Sequence, residues 1–291
     1  MPCYHPQPLK SPSGKPIKIE NLGLVRPCGQ CIGCRLEKSR EWAVRITHES
    51  QMYENNSFIT LTYNNQHLPK TLSLEKDHLV KFIKRLRRHC DPKQIRHYSC
   101  GEYGDNLGRP HYHCCIFNHV FEDKEQIHQP NYSIYNNRFK KNNQNPLYKS
   151  AILERIWGKG FVTIGDLEFQ SASYVARYVT KKITGKKASS HYKGRLPEFA
   201  LMSRGKEKGG VGKPWLEKYF TDVYPKDYTT IKGIKHSPPA YYDYLMEKSH
   251  PDLYATIKAK RKENTRFIQE KRQRELELHK MLVTKTLKRS N

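Results

Sequence analysis

The sequence predicts an α+β fold, an antiparallel sheet with helices on one side. Two observations carry this. Stretches with helical or strand periodicity follow in the order helix, strand, helix, strand, strand, helix, strand, helix, and the two adjacent strands are joined by the turn-forming run Gly104 to Pro110, for which a hairpin is the simplest outcome.

Residues 1–35 are rich in Pro, Gly and Cys and read as an irregular arm ending in Cys28-Gly29-Gln30-Cys31-Ile32-Gly33-Cys34-Arg35. Leu36 to Tyr53 carries Trp42, Val44, Ile46 and Met52 among charges, a partly amphipathic helix. Phe58 to Tyr63 alternates apolar and hydroxyl residues and is a strand. Leu74 to Arg88 places Leu79, Val80, Phe82, Ile83 and Leu86 at helical spacing, with a basic outer face. Strands are expected over Ile95–Tyr103 and His111–Phe117, and residues 118–147, Asn-rich and polar, read as a loop insertion. A helix near Leu147 to Trp157, a short strand Phe161 to Gly165, and a helix Ser171 to Lys182 capped by Ser171 or Ser173 complete the pattern. Residues 36–205 are thus one domain, 206–254 an irregular and partly helical extension, and 255–291 a basic helical tail with twelve Lys/Arg against four Glu.

Composition narrows the partners. With 291 residues, 36% hydrophobic content, a net charge of +25 and a pI near 9.7, the chain is built to meet a polyanion, whose phosphates release counterions on binding. No window has the length of apolar residues needed to cross a bilayer, and the first residues lack a signal-peptide core, so a cytoplasmic protein without a membrane partner is expected. In a reducing compartment the eight cysteines are expected as thiols or metal ligands.

Three constellations carry chemistry. On a strand, residues i and i+2 share a face about 6.5 to 7 Å apart, so His111 and His113 can converge on one ion, whereas Cys115 lies about 13 Å from His111, too far for all three to hold one ion. Glu102, across the hairpin, can supply a third, hard ligand, with Asp105 the runner-up; such a set suits Mg or Mn. In a helix, Tyr174 and Tyr178 fall on one face with Cβ atoms about 5 to 6 Å apart. Arg177, Lys181 and Lys182 crowd the same turn, where cations ease phenol deprotonation and grip a phosphate backbone; Arg109, Lys186 and Lys187 are further candidate contacts to DNA. Cys28, Cys31 and Cys34 are spaced for one soft ion, and Cys3 or His5 can complete a tetrahedral structural zinc site.

Phe58 to Tyr63, Arg109-Pro110-His111-Tyr112-His113 and Tyr174-x-x-x-Tyr178 with Lys181-Lys182 stand in the order of the three motifs of rolling-circle replication initiators, the HUH endonucleases. The set most resembles the initiators of gokushovirus-type microviruses, small single-stranded DNA phages, and covers roughly residues 1–205. The resemblance implies an RRM-like or ferredoxin-like sheet, with His111 and His113 as metal ligands and Tyr174 and Tyr178 as nucleophiles. It implies a metal-dependent nicking and rejoining of single-stranded DNA at an origin, with host polymerase and helicase as partners in the bacterial cytoplasm. Tyr112 stands where many relatives carry an apolar residue; facing away from the ion, it leaves that implication intact. A plasmid or transposon nuclease of the same chemistry, and a non-catalytic, zinc-stabilised nucleic-acid-binding protein, are the alternatives.

Overall fold

The computed structural model describes residues 3–8, 25–104, 107–127, 146–183, 185, 187–205 and 208–266. In chain order the elements are β1 (Gln7–Pro8), β2 (Val25–Arg26), α1 (Ile32–Ser50), β3 (Asn56–Tyr63), α2 (Lys76–Cys90), β4 (Arg96–Tyr103) and β5 (Pro110–Phe117). There follow β6 (Glu125–Gln126), β7 (Tyr148–Lys149), α3 (Ala151–Trp157), β8 (Gly160–Gly165), α4 (Phe169–Lys181), α5 (Lys187–Tyr192) and β9 (Phe199–Met202). The last are α6 (Lys213–Val223), β10 (Thr229–Ile231), β11 (Ile234–His236), α7 (Ala240–Ser249) and α8 (Pro251–Arg266). The chain divides into two compact units, residues 42–220 and residues 1–41 with 221–291.

The larger unit is built on a seven-stranded antiparallel sheet in the order β6-β7-β8-β3-β5-β4-β9. Strand alternation sorts its side chains onto two faces. Ile59, Leu61, Tyr63, Tyr112, Cys114, Ile116, Val162 and Ile164 line one, packed under α2 and α3. The period of α2 explains its docking: Leu79, Phe82, Ile83, Leu86 and Cys90 recur at helical spacing and are all buried. Tyr98, Cys100, Cys115 and Phe117 line the other face, under Trp42, Ala43 and Ile46 of α1 and Ala172, Val175 and Ala176 of α4.

The expectation of helices on one side is therefore corrected. Each central strand supplies apolar residues to both faces, so β4 and β5 are buried along nearly their whole length and a helix pair covers each side. Two local readings also change. The cap of α4 is Glu168, whose backbone N–H donates to the Ser171 hydroxyl at 2.8 Å; Ser171 sits three residues into the helix rather than before it. The edge strand β9 falls within the Gly/Lys-rich stretch 184–214, where its four residues leave no legible period.

Other boundaries are nearer the expectation. Ser150 caps α3 by accepting the Leu153 N–H at 3.0 Å. The chain enters β8 at Gly160 with φ 144, where an added Cβ would lie 2.3 Å from the Asn64 nitrogen, so only glycine lets β8 close on β3. Of the 118–147 insertion, residues 128–145 lie outside the described residues; its described flanks pair as β6 and β7. Residues 267–291 of the basic tail also lie outside.

In the smaller unit β1 pairs with β2, β10 with β11, and α7 precedes α8. Arg261 of α8 forks between Asp227 and Asp243, with its Nε 2.7 Å from Asp227 Oδ2 and Nη1 2.6 Å from Asp243 Oδ2; Tyr224 donates to Asp243 at 2.6 Å. Among the described residues no helix is long and apolar enough to cross a membrane.

Candidate functional site

The register of the hairpin assembles the site. Glu102 of β4 pairs directly with His111 of β5, and Cys100 with His113, so the carboxylate and both imidazoles project from one face of adjacent strands. Their ligand atoms lie within 4.8 Å of one another. His111 Nε2 is 2.9 Å from Glu102 Oε1 and His113 Nε2 is 3.7 Å from Glu102 Oε2. Glu102 and His113 are buried, at 3% and 4% exposure, while His111 is half-buried and opens the group toward solvent.

The far ring nitrogens are held. His111 Nδ1 lies 3.2 Å from the Arg109 carbonyl oxygen, which only accepts, so Nδ1 carries the hydrogen and Nε2 turns toward Glu102. His113 Nδ1 lies 2.9 Å from the Thr60 hydroxyl of β3, the residue beside it in the sheet. Such partners fix ring orientation around a bound ion. Two imidazole nitrogens and a carboxylate, all acceptors when unprotonated, gather stably around a cation.

Tyr112, between the two histidines, points the other way. Its hydroxyl donates to the Glu75 carbonyl at 2.9 Å, accepts from the Glu75 N–H at 2.9 Å and meets the Tyr63 hydroxyl at 2.8 Å; Tyr63 also meets His78 Nδ1 at 2.8 Å. Burial pushes the Tyr112 phenol up to about 12, so it stays a neutral anchor. Cys115 shares the histidine face but packs in the core and is not among the converging donors. Burial, then the charge of Glu102, holds the Cys100 thiol well above its usual range.

Helix α4 brings Tyr174 to the same group. Its ring centroid is 5.4 Å from His113, edge to face, and 6.4 Å from Phe58, and the residue remains 45% exposed. Tyr178 and Lys181 follow on the same helix; their side chains, with that of Lys187 and all of Lys186, lie outside the described residues, as does Asp105. Arg177 and Lys182 are exposed. Arg109 turns its guanidinium to the Tyr63 carbonyl at 3.0 Å and Asn65 Oδ1 at 3.1 Å, bracing the mouth of the hairpin.

One residue escaped the sequence reading. Phe161 of β8 lies in the row Phe161–Thr62–His111–Glu102 across four strands, on the histidine face, and is 63% exposed. Its signal was faint: an aromatic at the start of a strand, with no way to know its row.

Cys3, Cys28, Cys31 and Cys34 also converge, their sulfurs within 4.8 Å of one another, and Cys3 rather than His5 is the fourth member. Burial works against ionising Cys31, yet hydrogen bonds from the backbone of Cys34 and Tyr4 and from neighbouring thiols bring it down to about 6. Burial and the thiols around it push Cys34 up to about 12.

Residues 56–183, from the first residue of β3 to just past α4, match the family described as Replication-associated protein ORF2/G2P. The chain is 31% identical to Replication-associated protein VP4 of Bdellovibrio phage phiMH2K, over 91% of this chain and 81% of that protein. It is 35% identical to Replication-associated protein ORF2 of Spiroplasma virus 4, over 78% of this chain and 69% of that one. With Replication-associated protein ORF4 of Chlamydia phage 1 it shares 29% identity, over 79% and 56% respectively. No solved structure matches. At this identity and coverage, the chain belongs to the replication-associated proteins of the gokushovirus-type microviruses.

Proposed function

We propose that this replication initiator nicks single-stranded DNA at the phage origin by tyrosine transesterification and later rejoins the strand. The observation that carries the reading is the approach of Tyr174 to His113, on the sheet face that also bears Glu102 and His111. A divalent ion held by Glu102, His111 and His113 would supply Lewis-acid polarisation of a phosphate oxygen.

The chain's own residues do the rest. The Tyr174 oxygen attacks the phosphorus; the tyrosyl O–P bond forms, the P–O3′ bond breaks, and the phenolic proton ends on the departing 3′ oxygen. The products are a 5′-phosphotyrosine and a 3′-OH that primes the host polymerase. Tyr178, one helical turn on, serves the second cut, after which the released 3′-OH attacks the first linkage and closes the circle; the two tyrosines can exchange these roles. Lys181 and Lys182 offset the phenolate charge that develops, and Arg109, Arg177, Lys186 and Lys187 grip the phosphates. Phe161 stands two strand spacings from His111, about 10 Å, and we assign it to stacking a nucleobase beside the scissile phosphate. The +25 net charge supports a polyanionic substrate, and the reaction belongs in the cytoplasm of the bacterial host, where polymerase and helicase are supplied.

The test is a denaturing gel of the chain incubated with Mn²⁺ and single-stranded oligonucleotides tiling the phage strand. A denaturant-stable protein–DNA adduct is expected, absent with a chelator, reduced in Tyr174→Phe and Tyr178→Phe and missing in the double variant. Undiminished adduct in the double variant overturns the mechanism. Binding without any adduct in the unmodified chain favours a non-catalytic nucleic-acid-binding protein.

A further inference from the structure

The nicking reading leaves the cysteine cluster unused. Its four members come from three places in the chain: Cys3 just before β1, Cys28 and Cys31 in the turn after β2, and Cys34 in the first turn of α1. Cys28 and Cys34 sulfurs are 4.0 Å apart and those of Cys3 and Cys31 3.8 Å. A disulfide needs about 2.05 Å, and all four residues are free thiols. A tetrahedral ion with metal–sulfur bonds of about 2.3 Å sets its sulfurs about 3.8 Å apart, close to the 3.8 and 4.0 Å of these two pairs.

The backbone around the cluster is arranged for thiolates. The N–H groups of Cys28, Cys31 and Tyr4 donate to the sulfurs of Cys3, Cys28 and Cys31 at 3.2, 3.3 and 3.4 Å. Gly29, at φ 74, lets the Cys28–Cys31 turn curl its N–H groups inward, a backbone state other residues adopt at a cost. Unpaired with a soft cation, four half-buried sulfurs would gain little from this geometry. The donor set also differs in kind from the sheet group: four thiols and no oxygen or imidazole, a choice that selects a soft ion over Mg or Mn.

We propose that Cys3, Cys28, Cys31 and Cys34 bind one zinc ion in a closed, structural site that fastens residues 3–8 to the start of α1. Among the described residues the ladder between β1 and β2 holds two residue pairs, Gln7 with Arg26 and Pro8 with Val25, and a ladder of that length is weak on its own. The metal ties Cys3 to Cys28, 25 positions apart in sequence, and so adds a cross-link to the ladder. All four coordination positions are protein sulfur, leaving none for water or substrate, so the site does no chemistry on DNA.

The experiment uses the full chain, purified with reductant and without chelator. Elemental analysis is expected to find one zinc per chain, lost in Cys31→Ser and Cys34→Ser and kept in the His111→Ala/His113→Ala variant. Since an unstable variant could lose metal by unfolding, the unmodified chain provides a second readout. Exchange of its metal for Co²⁺ is expected to produce the visible absorption of tetrahedral thiolate coordination, and removal of the metal is expected to expose these four cysteines, mapped by mass spectrometry, to alkylation. A chain without zinc that neither takes up Co²⁺ nor shields these thiols overturns the proposal, as do iron in place of zinc and zinc that leaves with the histidines.

Discussion

The two faces of the central sheet are built from the same strands in the same register and come to opposite ends. On one, Glu102, His111 and His113 gather polar donors at a half-open edge beside Tyr174 and Phe161. On the other, Tyr112, Tyr63 and Trp157 are closed in by α2 and α3, and each polar tip is bonded: Trp157 Nε1 donates to the Thr62 carbonyl at 3.1 Å, and Tyr112 bridges Tyr63 and Glu75. The back face therefore holds the strands rigid, and the front face uses that rigidity to keep three ligand atoms converged. Stability and chemistry should separate along the sheet plane.

The largest separation is expected at Glu102. Glu102→Ala removes the carboxylate common to both histidines, so Mn²⁺-dependent adduct formation should fall by at least about 100-fold, beyond the upper end of what supporting residues around a metal typically cost. Its thermal stability should change by less than about 1 kcal/mol, because removing a buried charge relieves its desolvation. A large loss of stability with adduct formation intact would break the division of faces. Phe161→Ala comes next: single-stranded DNA affinity, followed by fluorescence anisotropy, should weaken by about 1 to 3 kcal/mol, with melting temperature unmoved. Equal affinity would remove Phe161 from the binding face.

Back-face changes should show the reverse pattern. Tyr112→Phe deletes a hydroxyl with three partners and is expected to cost about 1 to 2 kcal/mol in urea unfolding, while the nicking rate of the folded fraction stays within about twofold. A selective loss of nicking would show that the front face depends on that anchor for more than rigidity. The last comparison concerns His97, which shares the back face with Ile116. Burial, then the charges of Arg87 and Arg96, holds it down to about 3. The unfolded chain protonates this residue near pH 6.5, so between about 6.5 and 3 the unfolded state binds the extra proton. Stability is intact above that window and falls on acidification by up to about 1.4 kcal/mol per pH unit. His97→Gln should flatten the slope of urea midpoints between about pH 7 and 5; an unchanged slope would assign the acid sensitivity to other groups.

Much of this was legible in the sequence, and the parts that were not share a cause. The alternation of Phe58 to Tyr63 and the helical spacing of Leu79, Phe82 and Leu86 identified a strand and a helix because each depends on neighbours a few residues away. The shared face of His111 and His113, and the exclusion of Cys115, followed from strand geometry alone. The second helical layer did not. Cys115, Phe117 and Tyr98 read as ordinary strand residues until α1 and α4 cover them, and apolar residues on both faces of a short strand do not say which helix will arrive. The edge strand β9 escaped for the opposite reason, since four half-buried residues carry too short a pattern.

The site divides in the same way. By itself the sequence determined its chemistry: two imidazoles on one face, two phenols one helical turn apart, three cysteines spaced for a soft ion, and a charge suited to phosphate. Only the tertiary structure decided the company each keeps. The hairpin register brings Glu102 rather than a neighbour opposite His111, the docking of α4 sets Tyr174 against His113, and the fold sets Cys3 instead of His5 beside the other thiols, 25 positions from Cys28. Spacing along a strand or helix follows from backbone geometry, which local sequence dictates; register, docking and loop closure are set by which distant surfaces bury one another best.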